Sequence, residues 1–160
     1  MNLEIERKWL IKKLPELSAH AGEEISQGYL NLENDSAEVR LRSHRNRYFQ
    51  TVKLGNSGLS REEFEIELTD EQFLALWPAT AGRRIEKTRY RINSHGYIIE
   101  LDVYHGSLEG LVVAEVEFQS EEHARAFVPP HWFGREVTED SRYKNRNLAQ
   151  FGKITKDASK

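Results

Sequence analysis

The feature that most restricts this chain is a two-residue alternation of ionic and apolar side chains, recurring in seven separate stretches. A β-strand sends successive side chains to opposite faces, so residues two apart share a face. Near the N-terminus Glu4, Glu6 and Lys8 fall together, with Leu3, Ile5 and Trp9 opposite. Arg40 and Arg42 oppose Val39 and Leu41, Thr51 and Lys53 oppose Val52 and Leu54, and Glu63, Glu65 and Glu67 oppose Phe64, Ile66 and Leu68. Further on, Lys87, Arg89 and Arg91 oppose Thr88, Tyr90 and Ile92. Glu100 and Asp102 then oppose Leu101 and Val103, and Glu115 and Glu117 oppose Val116 and Phe118.

This pattern predicts strands over residues 2–11, 24–31, 37–44, 47–54, 62–68, 86–93, 97–104 and 112–119. Turn-forming residues separate them at Asn34-Asp35-Ser36, Arg45-Asn46, Gly55-Asn56-Ser57-Gly58 and Ser94-His95-Gly96. Short connections favour antiparallel pairing. Thr69 to Gln72 reads as a capping box that opens a helix to Trp77, stopped by Pro78. A second helix is expected over 120–127, ended by Pro129-Pro130, and a third over 144–151, ended by Gly152. The expectation is therefore an α+β, mainly β fold, with one domain over 1–152 and a polar tail over 153–160.

An antiparallel sheet with one solvated side would also alternate. Two details argue otherwise. The polar face is almost purely carboxylate, guanidinium and ammonium, and the signs are sorted, with acids paired on some strands and bases on others. Closing the sheet into a barrel puts this ionic face inside and the apolar face outside, where the three helices can cover it. The lumen must then stay wet, because an unpaired buried charge costs several kcal/mol.

With 160 residues, 31% of them charged and a net charge of −3, the chain has a core's worth of apolar residues but no uncompensated basic surface for nucleic acid. It contains no cysteine, which removes disulfides, thiolate metal sites and cysteine nucleophiles. No apolar run is long enough to span a membrane, and charges interrupt any secretory leader at the N-terminus, so a cytoplasmic location is expected. The basic run from Arg40 to Arg47 reads as a hairpin with Arg45 and Arg47 at its solvated tip. The six histidines lack ligand spacing, and the Gly55–Gly58 stretch lacks the ending of a P-loop.

Lys8, Arg40, Arg42, Lys53, Lys87 and Arg89 form a basic set suited to the oxygens of a linear polyphosphate. Glu4, Glu6, Glu63, Glu65, Glu100, Asp102, Glu115 and Glu117 form an acidic set that outnumbers it, eight to six. That excess would repel a polyanion unless cations intervene, and oxygen-only donors point to the hard ions Mg²⁺ or Mn²⁺.

In these residues the chain resembles the CYTH family, the triphosphate tunnel metalloenzymes. The resemblance rests on Glu4-x-Glu6-x-Lys8, Arg40-Leu41-Arg42, Lys53, Glu63-Phe64-Glu65, Lys87-Thr88-Arg89-Tyr90, Glu100-Leu101-Asp102 and Glu115-Val116-Glu117. The closing stretch from Trp132 to Thr138 and on to Asn145 is similar as well. The resemblance implies an eight-stranded antiparallel barrel enclosing a tunnel that binds triphosphate compounds with a divalent metal. It implies metal ligands at Glu4, Glu6 and Glu117, with Glu63 in the acid set and Glu65 and Glu115 near a second metal or the attacking water. It implies triphosphate binding by Lys8, Arg40, Arg42, Lys53, Lys87 and Arg89. Asp102 stays open between the metal's surroundings and structure. Tyr29 reads as a buried aromatic, with a proton-handling partner for Lys87 as the alternative; Glu65, Lys87 and Tyr29 are thus the catalytic candidates.

The short members most like this chain are inorganic triphosphatases, which makes hydrolysis of inorganic triphosphate the leading expectation. An adenylyl cyclase, a thiamine triphosphatase and a polyphosphate or nucleotide sensor without turnover are the rivals. The partner expected is a small triphosphate, not nucleic acid or membrane, with the chain monomeric or homodimeric.

Overall fold

The structure is a computed structural model that describes residues 2–32, 35–55 and 60–155. The expected turns around Asn34 and over 56–58, and the tail beyond Thr155, lie outside the described residues. The strands are β1 (Asn2–Ile11), β2 (Glu23–Tyr29), β3 (Ala37–His44), β4 (Arg47–Leu54) and β5 (Ser60–Leu68). Helix α1 (Asp70–Leu76) follows, then β6 (Arg84–Ser94), β7 (Tyr97–Tyr104), β8 (Val112–Glu117), α2 (Glu121–Ala126), β9 (Phe133–Glu136) and α3 (Asn145–Phe151).

All the pairings are antiparallel, in the order β5-β4-β3-β2-β6-β7-β8-β1, and β5 returns to pair with β1. Eight strands therefore close into a barrel. The short β9 adds to the far end of β1, where Trp9 sits opposite Glu136. Two hairpins turn on residues with positive φ, Arg45-Asn46 and His95-Gly96, whose twist matches that of the flanking strands. The capping box at α1 forms as expected: the Thr69 hydroxyl accepts from the Gln72 backbone N–H, and the Gln72 side chain accepts from the Thr69 N–H. The chain continues past α1 in a 3₁₀ turn (Trp77–Thr80) that includes Pro78. Thr80 packs so closely on β2 that a side chain at Gly28 would meet it at 2.6 Å.

The apolar faces point outward, and two helices cover much of them. Helix α2 and β9 bring Ala124, Phe127 and Phe133 onto Ile5, Trp9, Ile99, Leu101, Ala114 and Val116. Helix α1 lays Phe73 on Leu41 and Leu68, stacked between Tyr48 and Trp77. The cover expected from the pattern is incomplete, because Leu3, Phe64 and Ile66 on the outer wall of β1 and β5 stay 45–58% exposed.

Helix α3 differs from the expectation. Instead of lying on the outer wall, it packs Leu148 with Tyr29, Ile85, Tyr104 and Val113, which share the face of the charged residues. One end of the barrel interior is thereby filled with apolar side chains. Residues 137–145 cross this end between β9 and α3, held where the Val137 N–H donates to the Lys8 carbonyl and the Lys8 ammonium donates to the Tyr143 carbonyl at 2.9 Å.

Candidate active site

The inward ionic faces enclose a cavity of about 350 Å³. Glu4, Glu6, Lys8, Tyr29, Arg40, Arg42, Lys53, Glu63, Glu65, Arg89, Glu100, Glu115 and Glu117 all line it. Two expected site residues, Lys87 and Asp102, lie behind the lining and are fully buried. Three lining groups escaped the sequence reading. Glu38 shares a strand face with Arg40 and Arg42, and Arg61 shares one with Glu63 and Glu65, so strict parity would have included both. The third is the crossing segment at Thr138, Glu139 and Tyr143, which carries no periodic signal. Glu67 and Arg91, which extend their ladders by one step, instead pair with Arg47 and Glu100 at the exposed rim, 2.7 and 3.1 Å away.

Closure of the barrel sorts the charges around its circumference. β8, β1 and β5 are adjacent and bring Glu115, Glu117, Glu4, Glu6, Glu63 and Glu65 to one arc. β4, β3, β2 and β6 bring Lys53, Arg40, Arg42, Lys87 and Arg89 to the facing arc. Within the acid arc Glu6 is the direct cross-strand partner of Glu117, and Lys8 that of Glu115. Residues far apart in sequence thus become neighbours, like-charged in the first pair and oppositely charged in the second.

The acids of this arc repel one another. Burial, then the charges of Glu115 and Glu4, pushes the Glu6 carboxyl up to about 8. Glu63 is raised by burial and Glu4, and Glu117 by burial together with Glu4, Glu63 and Glu100. Glu115 goes the other way: Lys8, Lys87 and Arg89 outweigh its burial and hold it well below the usual carboxylate range. Its contacts are Lys8 at 3.4 Å and Arg89 at 3.2 Å.

The basic arc is organised by Asp102. Arg89 grips both its oxygens at 2.7 and 2.8 Å, and the Lys87 ammonium donates to one of them at 2.8 Å. Despite burial, these two cations keep Asp102 ionised and below its ordinary value. For Lys87 burial dominates, reinforced by Arg89 and Arg42 and opposed by Asp102, and its ammonium falls to about 7. Lys53 pairs with Glu4 at 2.8 Å, and Arg40 bonds Thr51 at 3.2 Å, with Glu65 beyond it at 4.0 Å. Arg42 is lowered to about 10 by burial, Arg40 and Arg89. Tyr29 is fully buried, its hydroxyl accepts from Gln27 at 2.9 Å, and burial raises it above the ordinary phenol value, so it stays protonated.

The donor set fits a hard divalent ion. It consists of carboxylates alone, and the raised Glu6, Glu63 and Glu117 mark negative charge that the neighbouring bases do not balance. Among the described residues no three such groups already converge on one point, and Glu4 is tied to Lys53. An ion would have to draw Glu4, Glu6 and Glu117 together. No helix among the described residues is long and apolar enough to cross a membrane.

The CYTH domain family matches residues 2–150. An inorganic triphosphatase of Nitrosomonas europaea is 53% identical over 147 residues, covering 91% of this chain and 96% of the relative. An inorganic triphosphatase of Acetivibrio thermocellus is 36% identical over 151 residues, covering 94% and 95%. Among solved structures, the crystal structure of the inorganic triphosphatase NE1496 superposes with a TM-score of 0.70 at 48% identity, covering 94% of this chain and 96% of that one. A putative adenylate cyclase from Bacillus halodurans, at 20% identity and a TM-score of 0.57 over 78% of this chain and 86% of that one, shares the fold alone. A closed barrel with opposed ionic arcs, matched along nearly its whole length, makes this chain a member of the CYTH domain family.

Proposed function

We propose that this protein is a metal-dependent hydrolase that splits inorganic triphosphate into pyrophosphate and phosphate. The observation that carries the reading is the facing of a basic arc and an under-neutralised acid arc across one cavity. The two relatives named as inorganic triphosphatases support the choice of substrate.

Lys8, Arg40, Arg42, Lys53 and Arg89 take the phosphate oxygens, with Lys87 adding charge from behind the wall. Glu4, Glu6 and Glu117 hold the ion, Mg²⁺ or Mn²⁺, with Glu63 and Glu115 beside them. Bound there, the ion neutralises charge and polarises the phosphoryl group. Asp102 serves structure, since its oxygens are already taken by Lys87 and Arg89.

Glu65, exposed on the cavity wall, orients the attacking water. Water adds to the terminal phosphorus in line, the bond to the bridging oxygen breaks, and pyrophosphate leaves with that oxygen. Lys87, lowered to about 7 so that part of it is the neutral amine, takes the water's proton; because it lies behind the lining, it acts through the hydroxyl of Tyr29, which lines the cavity. Tyr29, held in its protonated form, donates a hydrogen bond.

The test is incubation with Mg²⁺ and, separately, tripolyphosphate, ATP or thiamine triphosphate, with phosphate, pyrophosphate and cyclic AMP quantified. Equal release of phosphate and pyrophosphate from tripolyphosphate is expected. Cyclic AMP from ATP without phosphate release would make the protein a cyclase, and saturable binding without product would make it a sensor.

A further inference from the structure

Of the six bases assigned to the substrate, five have a carboxylate within ion-pair distance: Lys8 with Glu115, Arg40 with Glu65, Lys53 with Glu4, and Lys87 and Arg89 with Asp102. Arg42 has none among the described residues. Its guanidinium donates instead to the side-chain oxygen of Gln27, from Nε at 3.2 Å and from Nη2 at 2.9 Å. Gln27 is fully buried and does not line the cavity, whereas Arg42 does.

The orientation of the Gln27 amide follows from donor chemistry. A guanidinium only donates, so the carbonyl end of Gln27 must face Arg42. The NH₂ end then faces Tyr29 and donates to its oxygen at 2.9 Å. That leaves the Tyr29 hydroxyl hydrogen free to point elsewhere, and Tyr29 lines the cavity. One neutral side chain thus sets two groups of the wall: Arg42 as a fixed fork and Tyr29 as a donor. A carboxylate in the same place would orient Arg42 equally well but would cancel its charge.

We propose that Gln27 is a positioning residue for triphosphate binding, a neutral acceptor that aims Arg42 into the cavity while leaving its positive charge to the substrate. The inference rests on the triphosphatase reading of the site. Its test is Gln27→Glu, which keeps the shape of the side chain and adds the counter-charge. With tripolyphosphate and saturating Mg²⁺, the KM is expected to rise about tenfold or more, and kcat falls as well because the new carboxylate accepts the Tyr29 hydroxyl hydrogen that Gln27 leaves to the cavity. The melting temperature should match or exceed the parent's, because Arg42 gains a partner. A folded Gln27→Glu protein with KM within about twofold of the parent overturns the proposal.

Gln27→Met, combined with Arg42→Gln in a double-mutant cycle, covers a failure of the first variant to fold. The effect of Gln27→Met on KM should be about fivefold alone and should vanish when Arg42 is already changed. Additive effects would show that Gln27 acts only through packing. Absence of turnover in the parent protein would overturn the triphosphatase reading instead. Calorimetric binding of tripolyphosphate to the parent and to Gln27→Glu then still decides the role of Gln27, with unchanged affinity counting against it.

Discussion

The two arcs of the lumen are built to different rules. On the basic arc Arg40, Lys53, Lys87 and Arg89 are at most 6% exposed and each has a carboxylate within ion-pair distance, while half-buried Arg42 is held by the neutral Gln27. On the acid arc Glu65 and Glu117 are exposed and Glu4, Glu6 and Glu63 half-buried, with three of these five raised; Glu115, buried and paired with Lys8 and Arg89, is the exception. A buried, pre-paired cation set is a rigid receptor whose reorganisation was completed on folding. A wetter, mutually repelling carboxylate set stays poised for a cation. Loss of function should therefore come through metal on one side and through stability or substrate affinity on the other.

The largest effect expected is on the acid arc. Glu4→Gln or Glu6→Gln should cut Mg²⁺-dependent turnover at least about 100-fold, as loss of a metal ligand does, with the circular dichroism spectrum unchanged. Asp102→Asn should behave in the opposite way. Removing that charge leaves Lys87 and Arg89 buried with less compensation, and urea denaturation should show a loss of about 3–5 kcal/mol. If Asp102→Asn proved as stable as the parent, the contrast between the arcs would collapse.

Arg40→Ala comes next, with loss of a charge-assisted contact worth about 1.5–3 kcal/mol appearing mainly as a higher KM in steady-state assays. The smallest effect is a pH dependence. In the metal-free protein Glu6 keeps its proton up to about pH 8, whereas in the unfolded chain it loses it near 4.5. The folded state binds more protons in that window, so this group's contribution to stability falls as pH rises through it. A divalent ion replaces the proton, and the rise in Tm on adding Mg²⁺ should therefore be larger near about pH 8 than near about pH 5.5. An equal rise at both would mean that Glu6 takes no part in holding the ion.

Much of this was legible because strand periodicity survives in charge as well as in hydropathy. Seven alternating stretches and the segment 24–31 match eight strands to within two residues of their ends, β9 was not among them, and the Arg45-Asn46 and His95-Gly96 turns lie where the turn residues put them. The sorting of charges along the chain was visible, but their arrangement around the barrel was not. That depends on three long-range pairings, β2 with β6, β1 with β8 and β5 with β1, which no local signal encodes. Glu38 obeys the parity of Arg40 and Arg42 but breaks their like-sign run, and Arg61 lies just before the strand expected over 62–68, which begins at Ser60. Gln27 was hidden by its neutrality. The crossing residues 137–145 reach the cavity through single contacts such as Lys8 to Tyr143, which leave no pattern in the sequence.

The division of labour between the arcs can be measured by titrating Mn²⁺ calorimetrically into the metal-free parent, Glu6→Gln and Arg40→Ala proteins. The account predicts that Mn²⁺ binding is lost in Glu6→Gln and retained in Arg40→Ala. Parent-like Mn²⁺ binding by Glu6→Gln would contradict it.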